Sequence, residues 1–110
     1  MTEYKTNIMG IVYKVSIGTR EELRMSDSDQ GLTNFYTKEI QICNEALGFP
    51  PECLEKLVHE TMIHELVHAY LFEGGHVRLA ENEEVEEWLS VNFNRIVNSI
   101  GEFDKKMNKS

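Results

Sequence analysis

The chain has 110 residues, enough for one domain with a single modest core. Hydrophobic residues make up 41% and charged residues 27%, the balance of an ordinary soluble globular protein. A formal charge of -8 repels phosphate backbones, which excludes nucleic acid and anionic membrane as natural partners.

Residues Met1 to Lys14 lack a basic start, a long apolar run and a small-residue cleavage site, so no signal peptide is expected. No stretch approaches bilayer length, and the expected location is the cytoplasm. From Asn7 to Ile17 the side chains alternate in part, with Ile11, Tyr13, Val15 and Ile17 on one face, which predicts a first strand. Thr19-Arg-Glu-Glu22 has the spacing of a capping box and predicts a short helix. Asp27 to Gly31 reads as a loop, and Ser26 to Gln30 is expected to be mobile, as is the polar tail from Asp104 to Ser110. A second strand is predicted over Tyr36 to Cys43, paired antiparallel with the first, and Gly31 to Phe35 is a candidate third. Cys43 and Cys53 form no Cys-x-x-Cys pair and are expected to be reduced structural thiols.

Gly48-Phe-Pro-Pro51 breaks the chain, and Pro50 or Pro51 suits the first turn of a helix running to about Glu73. Gly74-Gly75 supplies its stop. Apolar residues cover more than one face of this helix, so it is expected to be buried between layers. A last helix is predicted from Glu83 to Ile100, capped by Asn82 and ended by Gly101. Its buried stripe is expected to be Val85, Trp88, Leu89, Phe93, Ile96, Val97 and Ile100.

The chemistry sits in His64-Glu65-Leu66-Val67-His68, which matches His-Glu-x-x-His. Four residues advance a helix by slightly more than a turn, so both imidazoles project from one face and can hold one ion. Burying two histidines and a carboxylate in this apolar run is costly unless each is paired or bound to metal. Zinc lowers the pKa of a bound water, and Glu65 can take that water's proton as general base.

A catalytic zinc needs a third protein ligand. The metzincin spacing fails, because Leu71 and Gly74 stand where Gly and His are required. His76, just beyond the helix after two glycines, is a candidate ligand but reads better as a loop residue near the mouth of the site. A better source is the run Glu81-Asn-Glu-Glu-Val-Glu-Glu87 opening the last helix, although acidic residues favour a helix N-terminus for dipole reasons alone. Glu83 is preferred, since Glu87, Ser90 and Asn94 continue near its stripe and Ser90 allows close helix approach; Glu84 is its rival. Tyr36, Tyr70 and His76 are candidates to stabilise an oxyanion, Tyr70 reading better as core and His59 as a surface residue. An edge strand, with the second strand as candidate, can hold substrate by β-augmentation.

At this point the chain resembles the small phage and prophage ImmA/IrrE-like zinc metallopeptidases of the gluzincin clan. The resemblance rests on Thr61-Met-Ile-His-Glu-Leu-Val-His-Ala-Tyr-Leu-Phe-Glu-Gly74 and on Glu83 to Ser90, with weaker echoes in Ile8 to Tyr13 and Gly31 to Ile42. It implies a minimal zincin-like α+β fold, with a small antiparallel sheet, the motif helix and a C-terminal helix supplying the third ligand. Leu89-Ser90 would replace the family's Phe-Ala pair, which implies Glu83 again as ligand. Members often cleave a repressor or other regulator, commonly with a DNA-binding helical domain fused to the same chain; no such domain is expected in these 110 residues, so that substrate does not carry over.

The leading expectation is a zinc-dependent endopeptidase acting on an intracellular protein, with His64, His68 and Glu83 on the metal and Glu65 as base. A zinc-binding regulatory or partner-binding module is the alternative from another class, and a hydrolase of non-peptide substrates a third.

Overall fold

The computed structural model describes residues 1–45 and 48–107. Its fold is α+β, a four-stranded sheet with helices packed on it. Strand β1 (Thr2–Ile8) and strand β2 (Ile11–Gly18) form a tight hairpin. Met9 and Gly10 both have positive φ at its turn, the pattern that matches the twist of the flanking strands. The predicted first strand therefore spans parts of two strands.

Helix α1 (Arg20–Leu23) forms with the predicted capping box, Thr19 accepting from the Glu22 N–H and Glu22 from the Thr19 N–H. Strand β3 (Gly31–Asn34) and strand β4 (Glu39–Cys43) complete the sheet in the order β1-β2-β4-β3. The expected antiparallel pairing of first and second strands is corrected: β2 and β4 run parallel, with Val15 opposite Ile40 and Ile17 opposite Ile42. The chain turns back twice between them, through α1 and β3, so it reaches β4 in the direction of β2. The sheet is mixed, and β3 rather than β4 is the edge strand on that side.

Ser26 to Gln30, expected to be mobile, is tied down instead. The Arg20 guanidinium donates to the carbonyls of Ser26 and Asp29 and to the side chain of Gln30, whose amide donates to Cys43 and Glu45 carbonyls. Cys43 is a free, buried thiol and Cys53 a free, exposed one.

A 3-10 turn at Pro51–Cys53 leads into helix α2 (Leu54–Glu73). The helix ends where the glycines predicted: Gly75 is left-handed, its N–H bonds the Phe72 carbonyl and the His76 N–H that of Leu71. One face of α2 closes the core of Ile8, Tyr13, Val15, Ile40, Ile42 and Ala69. Its C-terminal end is pinned by Glu73, which accepts from the Tyr13 hydroxyl at 2.9 Å and from Lys38 Nζ at 2.8 Å.

Helix α2 lies between the sheet and the last two helices, as expected, but its cover is incomplete. Its outer face lines an open apolar groove with residues of the last helix. A short helix α3 (Val77–Ala80), not predicted, precedes helix α4 (Glu83–Met107). Asn82 caps α4, accepting from the N–H groups of Glu84 and Val85. Gly101 does not end it, and Asp104 to Met107 is helical rather than a loose tail; Asn108 to Ser110 lie outside the described residues. The expected buried stripe is also corrected. Trp88, Phe93, Ile96, Val97 and Ile100 are exposed, and Glu86 is the buried residue of α4. Among the described residues no helix is long and apolar enough to cross a membrane.

Candidate metal centre

Helix α2 presents His64 and His68 one turn apart, with ring centroids 4.9 Å apart and planes at 73°. Their Nε2 atoms face each other at 3.2 Å. The His68 Nδ1–H donates to the carbonyl of Ala80 at the end of α3, so the neutral ring keeps its Nε2 lone pair for the cleft. The role of α3 is to place that carbonyl.

Because Asn82 caps α4, its first turn starts beside these rings. Glu83 turns its carboxylate to both, Oε2 lying 3.6 Å from His64 Nε2 and Oε1 3.5 Å from His68 Nε2. Glu84, the rival ligand, does not join the cluster of His64, His68, Glu83 and Glu86. Sequence reasoning missed Glu86. This buried carboxylate lies one turn on from Glu83, with Oε2 2.7 Å from His64 Nδ1 and Oε1 accepting from the Ser90 hydroxyl. Its spacing from Glu83 and Ser90 was a usable signal, since residues at i, i+3 and i+7 share a helix face.

Burial is the largest influence on three of these groups. It lowers the His64 pKa, helped by the charge of His68, and raises that of Glu65 against the Thr33 hydrogen bond. It pushes the Glu86 carboxyl up to about 7 against the hydrogen bond from Ser90. Glu86 Oε2 lies close to His64 but receives no aligned hydrogen bond. A neutral His64 with its proton on Nδ1 would let two imidazole lone pairs and the Glu83 carboxylate converge with no donor between them. A cation resolves that arrangement.

The distances suit a small one. Donors 2.0–2.1 Å from a tetrahedral ion stand about 3.3–3.4 Å from one another. The separations here are 3.2 Å between the two Nε2 atoms, and 3.5 and 3.6 Å from them to the two different oxygens of Glu83. Two imidazoles and a carboxylate are donors that zinc accepts, although the set does not single out one metal.

Glu65 lies beside the cluster, buried, with Oε2 4.0 Å from His64 Nε2. The Thr33 hydroxyl on β3 donates to Glu65 Oε1 at 2.7 Å, which leaves Oε2 as the oxygen on the cluster side. Gly31 lets β3 come this close: a Cβ there would lie 2.7 Å from Thr61 Cγ2 and 2.9 Å from Glu65 Cγ. These groups open onto a cleft of about 430 Å³, bordered by the free edge of β3 and the acidic residues Asp29, Glu81 and Glu83.

The other residues singled out earlier stay away. Tyr36 is exposed at the β3–β4 turn, His76 is exposed before α3 and does not line the cleft, and His59 is on the surface. Tyr70 is half-exposed and lines the apolar groove instead of filling the core. None of the three oxyanion candidates borders the cleft.

No protein-family profile matches this chain, and neither does any curated protein or solved structure, so its chemistry has to be read from this cluster.

Proposed function

We propose that this protein is a zinc-dependent metallopeptidase that hydrolyses a peptide bond in an intracellular protein, and that its resemblance to the ImmA/IrrE-like gluzincins reflects kinship. One observation carries the reading: two imidazoles and a carboxylate from separate helices converge at zinc-ligand spacing, with a second carboxylate, Glu65, held beside them. A structural site has no use for that fourth group.

His64, His68 and Glu83 would hold the ion. Bound there, zinc supplies Lewis acidity, polarising a scissile carbonyl and easing the ionisation of water. The chain's own residues do the rest. The edge of β3 offers unpaired backbone groups along the cleft, so an extended peptide can add as a further strand, in place of the second strand considered at first. Glu65 Oε2 accepts a proton from the attacking water as the carbon–oxygen bond forms, then passes it to the departing amine nitrogen as the carbon–nitrogen bond breaks. A carboxyl pKa raised by burial suits both transfers. Thr33 holds the other oxygen, so the carboxylate keeps its aim through the cycle. Glu86 positions His64, with Ser90 holding Glu86 in turn.

The competing reading is a metal-bearing module that binds a partner without hydrolysis, and the apolar groove on the outer face of α2 favours it. Glu65→Gln separates the two. Purified wild-type protein is expected to hold about one zinc per chain and His64→Ala none. Glu65→Gln should retain the metal and lose at least about a hundredfold in cleavage of a peptide library. Undiminished cleavage, or an intact cellular effect in that variant, removes the peptidase reading.

A further inference from the structure

Helix α4 runs for 25 residues, and only its first turns belong to the metal cluster. Beyond them the large apolar residues fall at Leu89, Phe93, Ile96, Ile100 and Phe103, in steps of four and three. That is the 3.5-residue repeat of a coiled-coil seam, a pattern that specifies a helix as its neighbour. No such neighbour exists within the described chain: Phe93 is 48% exposed, Ile96 45%, Ile100 56% and Phe103 61%. Trp88 and Val97, also exposed, flank the same face. Beside the start of the seam, Ile63, Leu66, Val67, Tyr70 and Leu71 of α2 enclose an apolar groove of about 570 Å³ with Leu89 and Phe93. A contiguous apolar surface of this extent marks an interface.

We propose that this face is a homodimer interface, in which α4 of a second copy lies antiparallel along the seam and fills the groove on α2. Two observations choose a second copy over a foreign helix. The first is self-complementarity: one antiparallel register layers Leu89 on Ile100 of the copy and Phe93 on its Ile96, and the two-fold axis repeats both layers. Charge is the second. The first turn of α4 carries Glu83, Glu84 and Glu86 and the last turn Lys105 and Lys106. In antiparallel order Lys105 of each copy lies opposite Glu84 of the other, exposed and outside the cluster, with Lys106 beside it; Glu102 falls opposite Glu87 and offsets part of that attraction. Opposed helix dipoles favour the same order, whereas a parallel pair would set acid against acid. The area is adequate too. Trp88, Phe93, Ile96, Val97, Ile100 and Phe103 expose together roughly 600 Å² of side chain, against about 800 Å² per partner in a stable interface, and the groove residues add to it. The cleft opens on another face of α2, bordered by β3 and α3, so dimerisation leaves it accessible.

Sedimentation equilibrium on the full chain with zinc present tests the proposal. The expected mass at tens of micromolar is twice 12.8 kDa. Ile96→Glu with Ile100→Glu should give the monomer mass while helix content by circular dichroism and zinc stoichiometry stay unchanged. If that pair disturbs the fold, Phe103→Ser, at a position still more exposed, should weaken association by at least about tenfold. Reversing Lys105 and Lys106 to Glu should weaken the dimer about tenfold at low salt, and adding Glu84→Lys with Glu87→Lys should restore it. A monomer at every concentration, or a dimer that the seam variants leave intact, overturns the interface. A dimer indifferent to the lysine reversal overturns its antiparallel order.

Discussion

The two helices that build the candidate metal cluster are held to the body in different ways. Helix α2 buries Thr61, Glu65, His68 and Ala69, closes the core with one face, and is pinned at its end by Tyr13 and Lys38. Helix α4 buries Glu86 alone. His64 and His68 are thus placed by the packing of a whole element. Glu83 is placed by a cap at Asn82 and by one buried carboxylate in the next turn. Of the proposed metal ligands, those from α2 should behave as fixed points and the one from α4 as adjustable. Replacements can be chosen to break that contrast or to sharpen it.

The largest effect is expected at the α4 ligand itself. Glu83→Ala removes the group that faces both imidazoles, and zinc affinity should fall by at least about a hundredfold, since a three-ligand site becomes a two-ligand one. Glu84→Ala, one residue on and outside the cluster, should leave it unchanged. Competition with a chromogenic chelator reads both. Equal losses would mean that the first turn of α4 has no fixed orientation, and the contrast between the helices would collapse into disorder of one of them.

A smaller, more diagnostic effect belongs to Glu86. Its carboxylate lies 2.7 Å from His64 Nδ1, so Glu86→Gln should weaken zinc binding about ten- to a hundredfold, the range for groups that orient a metal-bound histidine. Glu86→Asp should recover part of the loss. The cobalt-substituted protein offers a second measurement: its visible spectrum should shift in Glu86→Gln, because the His64 ring is no longer held in one orientation. An unshifted spectrum with full affinity would show that α2 alone fixes His64.

The sequence made some of this legible and hid the rest for physical reasons. The pair His64 and His68 could be read because four residues on one helix fix their relation without help from the rest of the fold. Glu83's place beside the histidines was readable through the stripe it shares with Glu87, Ser90 and Asn94. Glu86 was harder, since its shared face with Glu83 and Ser90 was the one signal among five glutamates from Glu81 to Glu87 that helix preference treats alike. Which of them turns inward depends on the angle at which α4 leaves Asn82 and on the small neighbour Ser90, and both are tertiary matters. The parallel pairing of β2 with β4 was hidden in the same way, because alternation identifies a strand but not the direction of its partner. β1 lacked even alternation: most of its residues are exposed at the sheet edge. For α4 the period correctly marked the apolar face, but a period cannot say what covers that face.

The smallest effect tests the other side of the contrast, the anchoring of α2. The Lys38 hydrogen bond holds the Glu73 carboxyl below its ordinary value, with the Tyr13 hydroxyl adding to it, while burial and then Glu73 raise the Tyr13 phenol above its own. For Glu73 the folded pKa is the lower one, so its stabilisation is complete above about pH 4.5 and drains away as acid titrates the folded group. For Tyr13 the folded pKa is the higher one, so its share is complete below about pH 10 and is lost as alkali approaches the folded value. Glu73→Gln should therefore cost about 1–2 kcal/mol at pH 7, a charge-assisted bond discounted for the exposure of Lys38, and progressively less as acid titrates the folded carboxyl. Urea melts of metal-free protein across that range measure the difference, in which the titrations of Glu65 and Glu86 cancel because wild type and variant share them. A gap that stays constant through the acid titration of Glu73 would mean that it holds α2 by packing rather than by charge. The fixed points of the site would then rest on the apolar core alone.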